Sequence, residues 1–568
     1  MTQLTKRWQI AAPISPLADE ALAAFQPVFR QILFNRGLPS EHAARAFIQA
    51  ESGSGSQPWN MTGMKAAVER ILFAVDHGEP MAIYGDYDVD GVTATALLFQ
   101  VIKSLGGNVR EYIPNRFEEG YGLNPEALSS LKAEGVKLVV TVDCGIRSPV
   151  EAEHARRIDL DLIITDHHQP TDGNLPTALA VINPKQLGDG YPEKELAGVG
   201  LAYKLAQALF ERRPVCSLQP ADLLDLVALG TVADLAPLVG ENRSLVRSGL
   251  LVLRATRRQG LFSLANVADL AIGRTTATNI GFVLGPRLNA AGRLDSALAA
   301  FELLTTTDVM RAGQLAQQLD NQNRERQALT RKIQEQAEEM VRQEGQSDVL
   351  LFAVHPEFNS GVVGLAASRL VETYYRPAVV GQVGEDTTRC SCRSIPEFHI
   401  TAALDRCADL LIRHGGHAAA AGFTVKNQNL DALRQRLESI AADEIGGTEL
   451  RPTLNADLEI PLFELRPGLL QQLDLLQPTG YGNPEAVFVT RDAKVQASRT
   501  VGADGKHLKL TVTDGKVTYD AIGFRLGHLQ PELPARVDLI YTFEANEFNG
   551  RSTLQLNLKD IKPAGTKD

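Results

Sequence analysis

The sequence predicts an α/β protein: a parallel-sheet lobe and a mixed αβ lobe joined by a long helix, followed by a small β-barrel or sandwich. Three observations carry that reading. Short β-branched runs alternate with helical patterns from about residue 60 to 250. A polar stretch rich in Gln, Glu and Arg then fills 309–345, and its segment 324–345 has no internal Gly or Pro before Gly345. From about 450 onward, strictly alternating segments are separated by turn dipeptides.

The chain has 568 residues, enough for three or four domains at roughly 150 residues each. With 44% hydrophobic and 22% charged residues it falls in the globular range, not the disordered one. No apolar run approaches the ~18 residues of a spanning helix. The opening MTQLTKRWQIAAPISP has no continuous apolar stretch, which argues against a secretory signal. Five cysteines, an odd and sparse set, fit a reducing cytoplasm without a disulfide framework. A net charge of -11 argues against coating nucleic acid through bulk positive charge. It leaves room for an enzyme that meets phosphates through local clusters and bound cations.

The elements follow in order. An amino-terminal lead (1–58) ends in ESGSGSQP, a flexible connector. Four near-continuously apolar runs, MAIYGD (81–86), KLVVTVD (137–143), DLIITD (161–166) and LAVINP (179–184), read as strands covered on both faces. They belong to a lobe spanning 59–305. Interspersed charges in RERQALTRKIQEQAEEMVRQEG predict one long solvated helix over 306–345, the alternative being a surface helix of a single domain. VLLFAV and PAVVGQV open the mixed lobe (346–447). In 448–568, HLKLTVTD alternates and is followed by Asp514-Gly515; Val537, Leu539, Tyr541 and Phe543 alternate before Asn549-Gly550.

Three of the strands end in aspartate: YGDYDVDG carries Asp86, Asp88 and Asp90, TVDCG carries Asp143, and ITDHH carries Asp166, His167 and His168. Ligands of open parallel sheets bind outside the carboxyl ends of the strands, so these groups should converge. Carboxylates gathered in one crevice repel one another unless protonated or bridged by cations. Asp oxygens with imidazole suit Mn2+ or Mg2+ better than a thiolate zinc site. The EF-hand alternative needs a Glu at the twelfth position, where this chain has Leu97. A strand-end Asp can also be a simple helix cap, an explanation that weakens when three strands share it. Asp234, after the apolar run DLLDLVALGTVA, is a further acidic candidate, with a capping role as its plainer alternative.

DYDVDG, VDCG, DHH and GTVAD resemble the DHH phosphoesterase superfamily. YIPNRFEEGYGLN (112–124), GPRLNAAGRLDSA (285–297), CRSIPEFHI (392–400) and GGHAAAAGF (415–423) narrow the resemblance to bacterial RecJ-type single-stranded-DNA-specific exonucleases. The resemblance covers nearly the whole chain. It implies a catalytic DHH lobe, a DHHA1 lobe and a carboxy-terminal OB-fold, and 5′→3′ degradation of single-stranded DNA to mononucleotides in repair and recombination. It implies two divalent cations, Mn2+ or Mg2+, held by Asp86, Asp88, Asp143, His167 and Asp234, with Asp143 between them. His168 would face the scissile phosphate, making Asp88, Asp143, His167 and His168 the catalytic set, while Asp90 and Asp166 orient loops and imidazoles. Where the superfamily often has a His four residues before the first Asp, this chain has Ala82. Two cations about 3.5–4 Å apart would activate water and neutralise the phosphorane, so no Ser or Cys nucleophile is needed; Cys144 reads as a buried small hydrophobe.

By the same resemblance, Arg116, Ser391 and Arg393 form the 5′-phosphate pocket, Arg287, Asn289 and Arg293 contact the backbone or the scissile phosphate, and His417 donates to a phosphate, the plainer alternatives being a surface charge for Arg293 and a satisfied structural role for His417. Gly415, Gly416 and His417 read as a tight turn. The family's usual Trp-His pair is replaced by Phe358 and Asn359, and its glycine-rich lead by RCSCRS with Cys390 and Cys392, for which a CxC zinc site is conceivable. The barrel would track the strand through stacking, with Phe524, Tyr541, Phe543 and Phe548 available and Tyr541 and Phe543 assigned to its core by alternation. The family further implies a cytoplasmic, nucleoid-associated monomer without membrane contact, working with a single-strand binding protein and a RecQ-type helicase. A short-oligonucleotide or cyclic-dinucleotide phosphodiesterase is the alternative enzyme, disfavoured by the appended barrel. A non-catalytic replication scaffold is disfavoured by the complete ligand set.

Overall fold

The computed structural model describes residues 6–51, 55–116, 119–120, 122–171, 173–343, 349–548 and 551–566. The chain forms two compact units: a larger one of Trp8–Asn289, Ala297–Gln317 and Leu454–Asp568, and a smaller one of Met1–Arg7, Ala290–Ser296 and Gln318–Thr453.

In the larger unit, β1 (Met81–Gly85), β2 (Val109–Tyr112), β3 (Leu138–Val142), β4 (Asp161–Thr165) and β5 (Ala180–Ile182) form an all-parallel sheet in the order β2-β1-β3-β4-β5. Every residue of β1 and β3 is buried, which is why both read as unbroken apolar runs. The edge strand β2 is half exposed and carries Arg110 and Glu111, so hydrophobic periodicity did not reveal it. The strand order reverses between β1 and β3, and in such sheets the crevice opens at that switch point. Their last residues lie in register: Gly85 pairs with Val142, Val142 with Thr165, and Thr165 with Ile182. The next residues along the rim are therefore Asp86, Asp143, Asp166 and Asn183, on strands ~4.8 Å apart.

Three helices of this unit frame the rim, α1 (Val89–Ser104), α2 (Gly198–Arg212) and α3 (Leu224–Ala233), and α4 (Gly240–Arg254) packs against α3. Helix α5 (Gly285–Leu294) follows, and then α6 (Val309–Gln343), the long helix expected from the polar stretch. Its stop at Gly345 lies outside the described residues. It is less solvated than its composition suggests: Ala312, Leu315, Ala316 and Leu319, then Ile333, Ala337 and Val341, are buried at helical spacing.

The smaller unit holds a mixed sheet in the order β9-β10-β8-β7-β6, built from β6 (Leu351–His355), β7 (Ala378–Val383), β8 (Thr387–Arg393), β9 (Leu411–His417) and β10 (Ala420–Lys426). Only β6 and β7 pair in parallel. Helix α7 (Val363–Tyr374) packs on it. Cys390 and Cys392 alternate into the core beside Phe398 and Phe423, where burial pushes both thiols up, and among the described residues no group of metal-ligating side chains includes either. The tight turn expected at Gly415–His417 is corrected: these residues end β9, and the turn is Ala418-Ala419. The glycine is needed for close approach, since a Cβ on Gly416 would meet Ala420 O at 2.4 Å.

The carboxy-terminal strands β11 (Leu458–Glu459), β12 (Val487–Val501), β13 (His507–Thr513), β14 (Thr518–Gly523), β15 (Arg536–Phe548) and β16 (Arg551–Pro563) include a closed five-stranded barrel, β12-β13-β14-β16-β15, sealed by the pairing of β12 with β15. Tyr541 and Phe543 point into its core as alternation required, and Phe524 is exposed. The Asn549-Gly550 turn and the Phe548 side chain lie outside the described residues. The sequence did not reveal that Leu22, Phe29, Ile32, Leu33 and Ala44 of the amino-terminal segment complete this same core. Among the described residues, no helix is long and apolar enough to cross a membrane.

Candidate metal centre

Each acidic group is placed by a local device. Asp86 leaves β1, 3% exposed. Asp88 caps α1, accepting from Gly91 N–H at 3.1 Å. Asp143 leaves β3 in the left-handed region at φ +61°, a conformation that Asp and Asn tolerate best among side-chain-bearing residues. Asp234 sits at the carboxyl end of α3. Ligand atoms of Asp86, Asp88 and Asp143 lie within 4.8 Å of one another, as do those of Asp90, His167 and Asp234, and those of Asp143, His167 and His168. Gly198, opening α2, makes this packing possible: a Cβ there would lie 2.7 Å from that of Asp143.

The cluster has the marks of a cation cradle. His167 Nε2 is buried and makes no hydrogen bond, although carboxylate oxygens of Asp143, Asp90 and Asp234 stand 3.1, 3.8 and 3.8 Å away. Asp86 Oδ1 is likewise buried without a hydrogen bond. Leaving such atoms unsatisfied costs free energy that a divalent ion would recover. Burial, and then the neighbouring carboxylates, raise Asp86 and Asp143 well above the usual carboxylate range. The same causes bring Asp90 to about 7 and Asp234 to about 9. Burial and the nearby His168 lower His167 to about 3, so it is a neutral imidazole, the form that ligates metal.

Two expected supporting residues have visible tasks. Asp90 oxygens accept the Gly198 and Val199 N–H groups at 2.6 and 2.8 Å, fastening the start of α2 over the site. Asp166 accepts Ile146 N–H at 2.9 Å and His168 Nδ1 at 2.7 Å. Burial opposes charge on His168, but the Asp166 hydrogen bond and surrounding carboxylates prevail and raise its pKa. Cys144 is buried, with its thiol pushed up by burial and Sγ 3.7 Å from the Tyr84 carbonyl, as a packing residue should be. The sequence reading missed Asn183 and Lys185. Asn183 is fully buried and donates to the His168 carbonyl at 2.9 Å, and the Lys185 cation bears on both His167 and Asp234. The signal was present: Asn183-Pro184-Lys185 follows β5 at the same rim.

The expected substrate contacts are more dispersed. Arg116 stacks over the Tyr87 ring, 5.0 Å from its centroid, and its charge bears on Asp86. Asn289 reaches the centre, but its oxygen accepts Val89 N–H at 3.1 Å, making it a brace for the start of α1. Arg287 donates to its own helix at Val283 O. In the smaller unit, Arg293 donates to Gly361 O at 3.3 Å. Ser391 Oγ and an Arg393 Nη lie 3.1 and 3.2 Å from where a Cβ on Gly364 would sit, placing both against the first turn of α7. His417 is exposed at the end of β9. Of the two departures, Phe358 is a fully buried core residue and Asn359 Oδ1 accepts Gly361 N–H at 2.8 Å ahead of α7.

A carboxylate whose folded pKa exceeds its unfolded value, ~4, binds more protons when folded. Its stabilising share is complete below that value and is lost as pH rises through about 7 and about 9 for Asp90 and Asp234. A cation that replaces those protons therefore stabilises more at higher pH. Saturating Mg2+ is expected to raise Tm by several degrees more at pH 8.5 than at pH 6. Equal shifts at both values would refute the cradle.

Family profiles match three regions: the DHH family N-terminal domain at 80–231, the DHHA1 domain at 346–443 and the RecJ OB domain at 456–560. The chain is 38% identical over 562 residues to the single-stranded-DNA-specific exonuclease RecJ of Bacillus subtilis, covering 98% of this chain and 70% of that one. It is 36% identical over 566 residues to the protein of that name from Escherichia coli, covering 95% and 96%. The structure of RecJ from Thermus thermophilus in complex with Mn2+ matches with a TM-score of 0.85 at 29% identity, over 99% of this chain and 80% of that one. The Mg2+ complex of RecJ from the same organism matches at 0.79 and 28%, over 99% and 79%.

Proposed function

The chain belongs to the RecJ family of single-stranded-DNA-specific exonucleases, and from that premise we propose how its residues carry out the reaction. It is a phosphodiester hydrolase acting on single-stranded DNA with Mn2+ or Mg2+. Asp86, Asp88, Asp143, His167 and Asp234 would hold two of these ions, Asp143 being the residue common to two of the candidate ligand groups. The observation that carries this is the buried His167 Nε2, facing carboxylates of three other segments without a hydrogen bond. When bound, the ions supply Lewis acidity and an activated water.

The remaining steps belong to the chain. Asp166 fixes the His168 ring and favours its protonated form, so His168 is placed to donate to a phosphate oxygen as negative charge develops there. Arg116 adds a donor fork beside Asp86. In the smaller unit, Ser391, Arg393 and the amino-terminal turn of α7 are assigned to a terminal 5′ phosphate. That assignment gives 5′→3′ polarity and 5′-mononucleotide products. His417 and Arg293 are assigned to the strand's backbone. The Asn289 and Arg287 contacts favour positioning roles over direct contact. The family further suggests a cytoplasmic, nucleoid-associated monomer in repair and recombination, supplied with single strands by a RecQ-type helicase and a single-strand binding protein.

The test is digestion of labelled single strands blocked at one end or the other, with Mn2+. Blocking the 5′ end should stop degradation and blocking the 3′ end should not; equal digestion of both would refute the polarity. Arg393→Ala is expected to erase most of the preference for a 5′ phosphate over a 5′ hydroxyl, a loss of about tenfold to a hundredfold in kcat/KM, the scale of one charge-assisted phosphate contact.

A further inference from the structure

Phe282 is 80% exposed, more than any other aromatic side chain among the described residues. It lies in a π-helical turn, Ile280–Leu284, closed by a bond from Gly285 N–H to the Ile280 carbonyl. The Arg287 guanidinium takes up the Val283 carbonyl at 2.8 Å. Single π turns inserted ahead of a helix redirect side chains and recur at functional sites.

The position of this turn gives the exposed ring a purpose. A Cβ on Gly281 would lie 4.0 Å from Val232 Cγ1, and one on Gly285 would lie 3.5 Å from Ala233 Cβ. Asp234 follows directly. Further along, Asn289 bonds Val89 N–H, next to Asp88. The segment from 280 to 289 therefore flanks the metal centre on its Asp234 and Asp88 sides while presenting an aromatic face to solvent. Leu235, the residue after Asp234, is also 67% exposed and is held at φ +61°. Both apolar groups contribute nothing to the core by being exposed here.

We propose that Phe282 is the stacking platform for an unpaired base of the strand being degraded. Every base offers a π face, so one aromatic can hold any sequence. A duplex keeps those faces stacked on each other, so the same contact selects single strands. This rests on the exonuclease reading and names a residue that sets substrate affinity and strand preference.

The measurement is steady-state digestion of a labelled single strand with Mg2+ by wild type, Phe282→Ala and Phe282→Trp. The same assay is run on strands with abasic residues in place of the terminal nucleotides. Phe282→Ala is expected to raise KM by about fivefold to a hundredfold, the range for losing one base–aromatic stack, with kcat within about twofold. Phe282→Trp should restore KM. Abasic strands should bring wild type to the KM of Phe282→Ala and leave that variant unchanged. An unaltered KM in Phe282→Ala, or an equal abasic penalty in both proteins, overturns the stacking role while wild-type digestion upholds the nuclease. Failure of wild type itself to digest the intact strand overturns both.

Discussion

Asp143→Asn is expected to lower exonuclease activity by at least about a thousandfold while leaving the metal-free protein as stable as wild type or more so. The activity loss follows from position. Asp143 faces Asp86 and Asp88 on one side and His167 and His168 on the other, so it belongs to two of the three ligand groups. The stability gain follows from electrostatics. Burial and then the charges of Asp90, Asp88, Asp86 and Asp234 all disfavour the Asp143 carboxylate, so a neutral amide relieves repulsion. Asn is preferred to Ala because the residue sits at φ +61°, where Asn is tolerated and Ala adds strain. Thermal melts with and without Mn2+ separate the two effects: the variant should start at or above the wild-type Tm and gain less from the ion. A variant that retains turnover, or that loses several degrees without metal, would reject the shared-ligand role.

Much of this centre was legible because its residues are strand ends. An apolar run that stops at an acid marks both a strand and the place where its backbone leaves the sheet, and β1, β3 and β4 all stop that way. Two local choices then add information that no tertiary contact can hide: the Asp88 cap and the His167-His168 pair. What was not legible depended on partners distant in sequence. Asn289 looks like a free polar residue until the fold brings it to Val89, 200 positions away. The amino-terminal segment looks like a lead because its apolar residues have no local sheet to cover. Their partner is the barrel at the other end of the chain. Gly415-Gly416 was misread because a glycine pair signals a turn by composition, whereas here Gly416 serves the close packing of β9 on Ala421.

A second large effect is expected far from the catalytic rim. Arg243 on α4 is 1% exposed. Its guanidinium donates to the carbonyls of Phe47, Leu475, Leu476, Gln477 and Pro478 at 2.7–3.1 Å. It also stacks on Phe47, 3.9 Å from the ring centroid. None of these partners is a carboxylate. Burial, together with the Arg247 and Arg36 charges, brings its pKa down to about 10, which leaves it cationic at neutral pH. The carbonyl dipoles just past α8 (Pro467–Asp474) take the place of a counter-ion. Asn483 Nδ2 also reaches the Leu476 and Pro478 oxygens at 2.8 Å, so truncation would fall hardest on Leu475 and Gln477. Arg243→Ala is expected to destabilise the larger unit by about 3–5 kcal/mol, combining a cavity with buried carbonyls that lose their donor. Arg243→Met separates the causes, since it fills most of the volume without donors. If the donors dominate, Met should still cost about 2–3 kcal/mol in urea unfolding. A Met variant within about 0.5 kcal/mol of wild type would mean that the carbonyl cage contributes little and that packing alone holds the nuclease sheet's helix to the segment leading into the barrel.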